Sequence, residues 1–117
     1  MTEQFRPPVQ TSNSTTTGVF ALLKARPGVT RERVMAIMPA EIRATIQLYL
    51  AGKICDWYSR EDGKGGVFLL NVTDVAEATS IMESLPLAKE HLLDHEYIPV
   101  GPLMPLRLLM GSQATKP

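Results

Sequence analysis

The sequence predicts an α+β fold: one antiparallel sheet of four strands with two helices packed on one of its faces. Three observations carry that expectation. Apolar runs of strand length alternate with longer stretches whose apolar residues recur at helical spacing. Two of the strand runs are separated only by a glycine-rich turn, the mark of a hairpin. Finally, 117 residues with 44% apolar and 21% charged side chains suffice for a single core and are too apolar for a disordered chain. The domain is expected over residues 17–106, after a flexible tail over 1–16 that takes in most of the polar run QTSNSTTT (10–17) and before a C-terminal tail over 107–117.

Gly18 to Lys24 (GVFALLK) is a short apolar run stopped by Arg26-Pro27-Gly28, so the first strand is placed near 17–24. Thr30 then caps a helix whose apolar residues Val34, Met38, Ile42, Ile46 and Leu50, widened by Ile37 and Tyr49, are expected to face the sheet. Pro39 removes a backbone donor inside it, which predicts a kink or two abutting helices. Gly52 is the stop. Lys53 to Arg60 (KICDWYSR) reads as an aromatic strand, Glu61 to Gly66 as the turn, and Val67 to Val72 as its hairpin partner. Asp74 and Glu77 form a capping box for a second helix with Val75, Ala78, Met82 and Leu85 on its buried stripe. Leu85-Pro86-Leu87 ends that helix, and Asp94 to Val100 is the last strand, where Pro99 fits only an edge or an end.

Strand, helix, strand, strand, helix, strand is the order of the ferredoxin-like, split βαβ arrangement. Its sheet has one uncovered face. Val19 to Leu23 and Phe68 to Leu70 put apolar side chains at both parities, so that face is expected to be apolar and to be covered, by another subunit or by the tail at Gly101 to Met110.

The residues from Leu48 to Val100 resemble the muconolactone isomerase-like branch of the dimeric α+β barrel proteins. The likeness rests on the Ala51-Gly52-Lys53 helix end, the aromatic strand, the glycine turn before an apolar strand, Leu85-Pro86-Leu87, and the acidic-then-proline strand His95-Glu96-Tyr97-Ile98-Pro99-Val100. It covers roughly residues 18–106. The resemblance implies a homodimer or higher homo-oligomer, two sheets closing a barrel, and isomerase, cyclase or lyase-type chemistry on a small lactone or other carbonyl compound without a cofactor. The chain departs from the isomerase after Val100, where Gly101 to Met110 is apolar rather than polar and histidine-bearing; packing against a partner subunit is expected of it. The alternative is a non-catalytic module that binds a small ligand or assembles oligomers.

Moving a proton next to a carbonyl needs a base, a group for the enolate oxygen and a dry pocket. Strict alternation would place Ile54, Asp56, Tyr58 and Arg60 on one strand face and Cys55, Trp57 and Ser59 on the other. On the last strand it sets Asp94, Glu96 and Ile98 against His95, Tyr97 and Pro99. Asp56 and Glu96 are therefore the candidate bases, with Arg60 as a catalytic cation, and Tyr58, Trp57, His95 and Tyr97 as substrate-binding residues. Each has a plain structural counterpart. Asp56 and Arg60 can pair at an exposed rim, His95 can be a hydrogen-bonded half-buried histidine, Trp57 and Tyr58 core or interface aromatics, and Cys55 a small buried residue.

Other classes are argued against. Lys plus Arg and Asp plus Glu each number 12, which removes the electrostatic case for a nucleic acid or an anionic membrane as partner. With two histidines and one cysteine, the sequence offers no metal-ligand spacing, and the DGKGG turn precedes a strand rather than a helix, unlike a phosphate loop. The lone cysteine and the absence of an apolar leader or of a run of about 20 apolar residues lead us to expect a cytoplasmic protein.

Overall fold

The structure, a computed structural model, describes residues 16–103. The N-terminal tail up to residue 15, the C-terminal tail over 107–117 and most of the apolar stretch leading into it lie outside the described residues. The elements are β1 (Gly18–Ala25), α1 (Arg31–Leu50), β2 (Ile54–Ser59), β3 (Gly65–Leu70), α2 (Val75–Glu83), α3 (Pro86–Lys89) and β4 (Leu93–Val100). They form a four-stranded sheet in the order β2-β3-β1-β4. Every neighbouring pair is antiparallel. This is an α+β fold compatible with the ferredoxin-like arrangement.

The local signals act as expected. Thr30 accepts a hydrogen bond from the Arg33 N–H at 3.2 Å and starts α1, and Asp74 does the same for α2 from Glu77 at 2.7 Å. The side chain of Glu77 does not complete the box; it turns to Lys53 Nζ at 3.6 Å. One helix runs through Pro39 rather than two abutting helices. Gly52 leaves the helix with φ of 80°, a left-handed conformation that glycine adopts without strain. Its N–H bonds to the Tyr49 carbonyl. β4 pairs with β1 alone, so Pro99 lies on an edge strand.

The core lies between one sheet face and the helices. Val19, Leu70 and Ile54 stand in one row across β1, β3 and β2. They pack with Ala21, Leu23 and Val72, with Ala78 and Met82 of α2, and with Leu85 beyond it. Ala44 and Leu48 bring α1 onto that cluster.

Three expectations are corrected. The apolar series of α1 does not face the sheet throughout: Ile42, Ile46, Tyr49 and Leu50 are exposed. A step of four residues overshoots one turn by about 40°, so four such steps carry a stripe about 160° around the helix. The inward positions instead follow 37, 41, 44 and 48, and Glu41 is buried among them. On α2 Val75 is exposed, because it sits in the first turn beside the cap rather than over the core. On β2 alternation breaks at Cys55: Ile54 pairs with Leu70 and Asp56 with the adjacent Leu69. Cys55 is an extra residue, a bulge. Ile54 is therefore buried on the helix side, toward which Trp57 and Ser59 also face from exposed positions, while Asp56 and Tyr58 share the other face, and Cys55 is exposed rather than buried.

The uncovered face carries Phe20 and Leu22 of β1, Val67 and Leu69 of β3, and Ile98 and Val100 of β4, by register with one another. Most are half-buried and Ile98 is exposed.

Candidate functional site

A cleft of about 660 Å³ opens between α1 and the β2–β3 side of the sheet. Its α1 wall is Val34, Met35, Met38, Ile42 and Ile46, its sheet wall is Leu23, Trp57, Phe68 and the backbone of Gly65 and Gly66, and Leu87 and Leu93 close the inner end. Arg31 and Lys64 border it as well, and both are exposed. The cleft exists because α1 touches the sheet mainly through Ala44 and Leu48 in its second half. The β3 edge of the space is also narrow: a Cβ at Gly65 would collide with the Leu23 carbonyl oxygen.

Glu41 is the buried carboxyl of this cleft. Its Oε1 accepts the Leu87 N–H at 2.9 Å. Leu87 is the second residue of α3, whose N-cap Leu85 makes no side-chain capping bond, so Glu41 caps that helix from across the fold. Burial holds the Glu41 carboxyl above the ordinary carboxylate range, and the Leu87 hydrogen bond offsets only part of the rise. A carboxyl of this kind, next to an apolar space, can hold or release a proton nearer to neutral pH than an exposed one.

The sequence-derived residues fall into three separate places. Asp56, Tyr58 and Glu96 rise from the uncovered sheet face: Tyr58, Val67, Leu22 and Glu96 form one row across the sheet, and Asp56, Leu69, Phe20 and Ile98 the next. Asp56 and Glu96 thus stand on opposite edge strands, three strand spacings or about 14 Å apart. Tyr58 and Trp57 also border the cleft. Trp57 packs edge-on against Tyr49 with ring centres 4.6 Å apart.

Arg60 is held in the turn, not by Asp56. Its Nη2 meets Asp62 Oδ2 at 3.1 Å and its Nε meets Oδ1 at 3.3 Å. The Arg60 hydrogen bonds, aided by the Lys64 N–H, hold the Asp62 carboxyl down at about 2, and the same pairing raises the guanidinium. The rim pair expected between Asp56 and Arg60 is thus made by a nearer carboxylate two residues away.

His95 and Tyr97 point to the helix side and stack with ring centres 6.0 Å apart. Burial lowers the His95 pKa against the pull of Glu83 and Asp94. It raises that of the Tyr97 hydroxyl, with the Glu83 charge adding to the rise. The neighbouring Thr79 hydroxyl, which donates to the Val75 carbonyl at 2.8 Å, works against that rise. Among the described residues His95 Nε2 has no hydrogen-bond partner. The expected hydrogen-bonded histidine is half-buried, but this ring nitrogen is unpaired.

Glu41 is not among the residues that the apolar series of α1 singles out. Its spacing from Ile37, Ala44 and Leu48 is the signal that finds it. Among the described residues no three His, Cys, Asp or Glu side chains are grouped as a metal site requires, and no helix is long and apolar enough to cross a membrane. A scan against protein-family models and a search of curated proteins both find no match to this chain.

Proposed function

We propose that this chain is a cytoplasmic homodimeric α+β barrel protein that binds a small, largely apolar lactone or other carbonyl compound in the α1 cleft. There it transfers a proton without a cofactor, as an isomerase or a related lyase does. The observation that carries the reading is Glu41: a carboxyl with its pKa raised by burial, set in a mostly apolar cleft. An apolar wall excludes water and sharpens a proton transfer, and a base whose pKa lies toward the working pH is the efficient kind. The family resemblance of residues 18–106 supports the same class of chemistry.

A second reading is favoured by the position of Asp56, Tyr58 and Glu96. If two copies pair their uncovered sheet faces, these side chains point into the barrel formed between them, and Asp56 or Glu96 is the base with Tyr58 as oxyanion partner. A panel of small lactones and cyclic ketones in deuterated water, followed by NMR for proton exchange next to the carbonyl, separates the two. In the first reading Glu41→Gln loses 10²–10⁴-fold in exchange rate, the range typical of a positioned acid or base, while Asp56→Asn and Glu96→Gln keep theirs. The reverse pattern selects the barrel site. Ligand-induced thermal stabilisation with no exchange in the parent protein refutes both in favour of a binding module.

A further inference from the structure

A second uncovered apolar surface, apart from the sheet face, runs along the open mouth of the cleft on α1 and the β2 edge. Met35, Ile42, Ile46, Tyr49 and Leu50, together with Trp57, are between 40% and 72% exposed. At these exposures they present on the order of 650 Å² of accessible surface, above the largest patch of a typical monomer. That lies within the range of about 600–1,000 Å² which one side of a stable dimer interface buries. The spacing along the helix is symmetric about Ile42. Met35 and Tyr49 lie seven residues to either side of it, and Met38 and Ile46 four residues to either side.

An antiparallel pair of identical helices related by a two-fold axis brings residue 42−n of one copy opposite 42+n of the other. We infer that α1 is a self-association face, and that its occupant is the α1 of a second copy crossing at Ile42. In this pairing Ile42 meets its own counterpart, Met38 meets Ile46, and Met35 meets Tyr49, a sulfur–aromatic contact that is favourable in itself. A near-antiparallel crossing keeps the helices in contact over the four turns from Met35 to Tyr49. The interface is distinct from the uncovered sheet face, and the two together would link dimers into a larger closed assembly. It also bears on the cleft, because Met35, Ile42 and Ile46 form its outer lip. A second α1 laid there closes the side that one chain leaves open. The inference itself rests on the apolar surface and not on the chemistry assigned to Glu41.

The test is sedimentation velocity of the full chain at about 10 μM, paired with cysteine crosslinking. Ile42→Asp should halve the assembly mass of the parent protein while far-ultraviolet circular dichroism stays unchanged. Ile98→Asp, on the sheet face, reports the other interface. An assembly broken by Ile98→Asp but untouched by Ile42→Asp overturns the inference and leaves the sheet-face dimer standing. A parent protein that sediments as one 12.9 kDa chain overturns both. With the exposed Cys55 replaced by serine, Ile42→Cys should form an intermolecular disulfide on mild oxidation, and Arg43→Cys, one residue round the helix, should not. Equal crosslinking of the two, or none at position 42, overturns the pairing even where Ile42→Asp fails to fold.

Discussion

Replacing Glu41 by alanine and by glutamine separates its two structural effects, the hydrogen bond to Leu87 and the cost of burying a charge. Glu41→Ala removes the acceptor and leaves the Leu87 N–H buried without a partner, since Leu85 supplies no capping side chain. An orphaned buried donor costs about 1–3 kcal/mol. A loss of about 2 kcal/mol lowers Tm by on the order of 10 °C in a domain of this size. Glu41→Gln keeps an acceptor oxygen and removes the charge. The sign follows from burial. Because the folded-state pKa of Glu41 is raised above 4.5, the parent protein has its full stability below that value and loses stability as pH rises through the raised one. The glutamine variant has no such loss. Its stability relative to the parent should therefore grow between pH 4 and pH 8, and at pH 8 it should equal or exceed the parent. The alanine variant should follow the same pH trend, lower by the cost of the missing cap. Urea unfolding at several pH values, read by the fluorescence of Trp57, the one tryptophan of the chain, measures all three proteins. A glutamine variant as unstable at pH 8 as the alanine variant would refute the reasoning, because it would mean that the charge stabilises the fold where it stands.

Gly65→Ala should be among the most damaging single-methyl additions in the chain, losing about 3 kcal/mol in a urea titration, because the new Cβ meets the Leu23 carbonyl oxygen, a backbone atom that cannot step aside. Carbon-detected NMR should find Asp62 titrating at about 2. Arg60→Gln should bring it up toward the ordinary 3.9 or so, and any stability that the pair contributes is present above that ordinary value and lost as pH falls through about 2. An unchanged Asp62 midpoint in that variant would show that the arginine is not its cause. Cys55 should react stoichiometrically with a thiol reagent in the folded protein within minutes, whereas a requirement for denaturant would contradict its exposure at the bulge.

What the sequence disclosed and what it withheld differ by the range of the interactions involved. Thr30, Asp74 and Gly52 act on backbone groups within a few residues, so their roles in starting and stopping helices are legible from the chain. The strand runs are legible for the same reason, as is the edge position of Pro99. The inward face of α1 is not, because the apolar residues outnumber what one face can hold and the sheet chooses among them; the excess remains outside. Glu41 depends on an N–H 46 residues further on, and no local pattern announces that partner. The parity of β2 fails for a related reason. Whether Cys55 counts in the alternation is decided by the pairing with Leu69 and Leu70, not by the residues around it. Arg60 turns to Asp62, two residues on in the same turn, rather than to Asp56 further back along the strand.

The bulge at Cys55 has a further consequence, for how the chain tolerates change. Because β2 carries one residue more than β3 requires, deleting Cys55 would shorten the strand to a regular ladder without turning Ile54, Asp56, Trp57 or Tyr58 to the opposite side. Deleting Trp57 instead would turn Tyr58 and Ser59 to the opposite sides. The surplus residue also interrupts the spacing of free backbone groups along the outer rim of β2. A fifth strand arriving from another molecule would find no uniform row of donors and acceptors to extend, so sheet growth by stray strand addition, the first step toward fibrils, is disfavoured on this side.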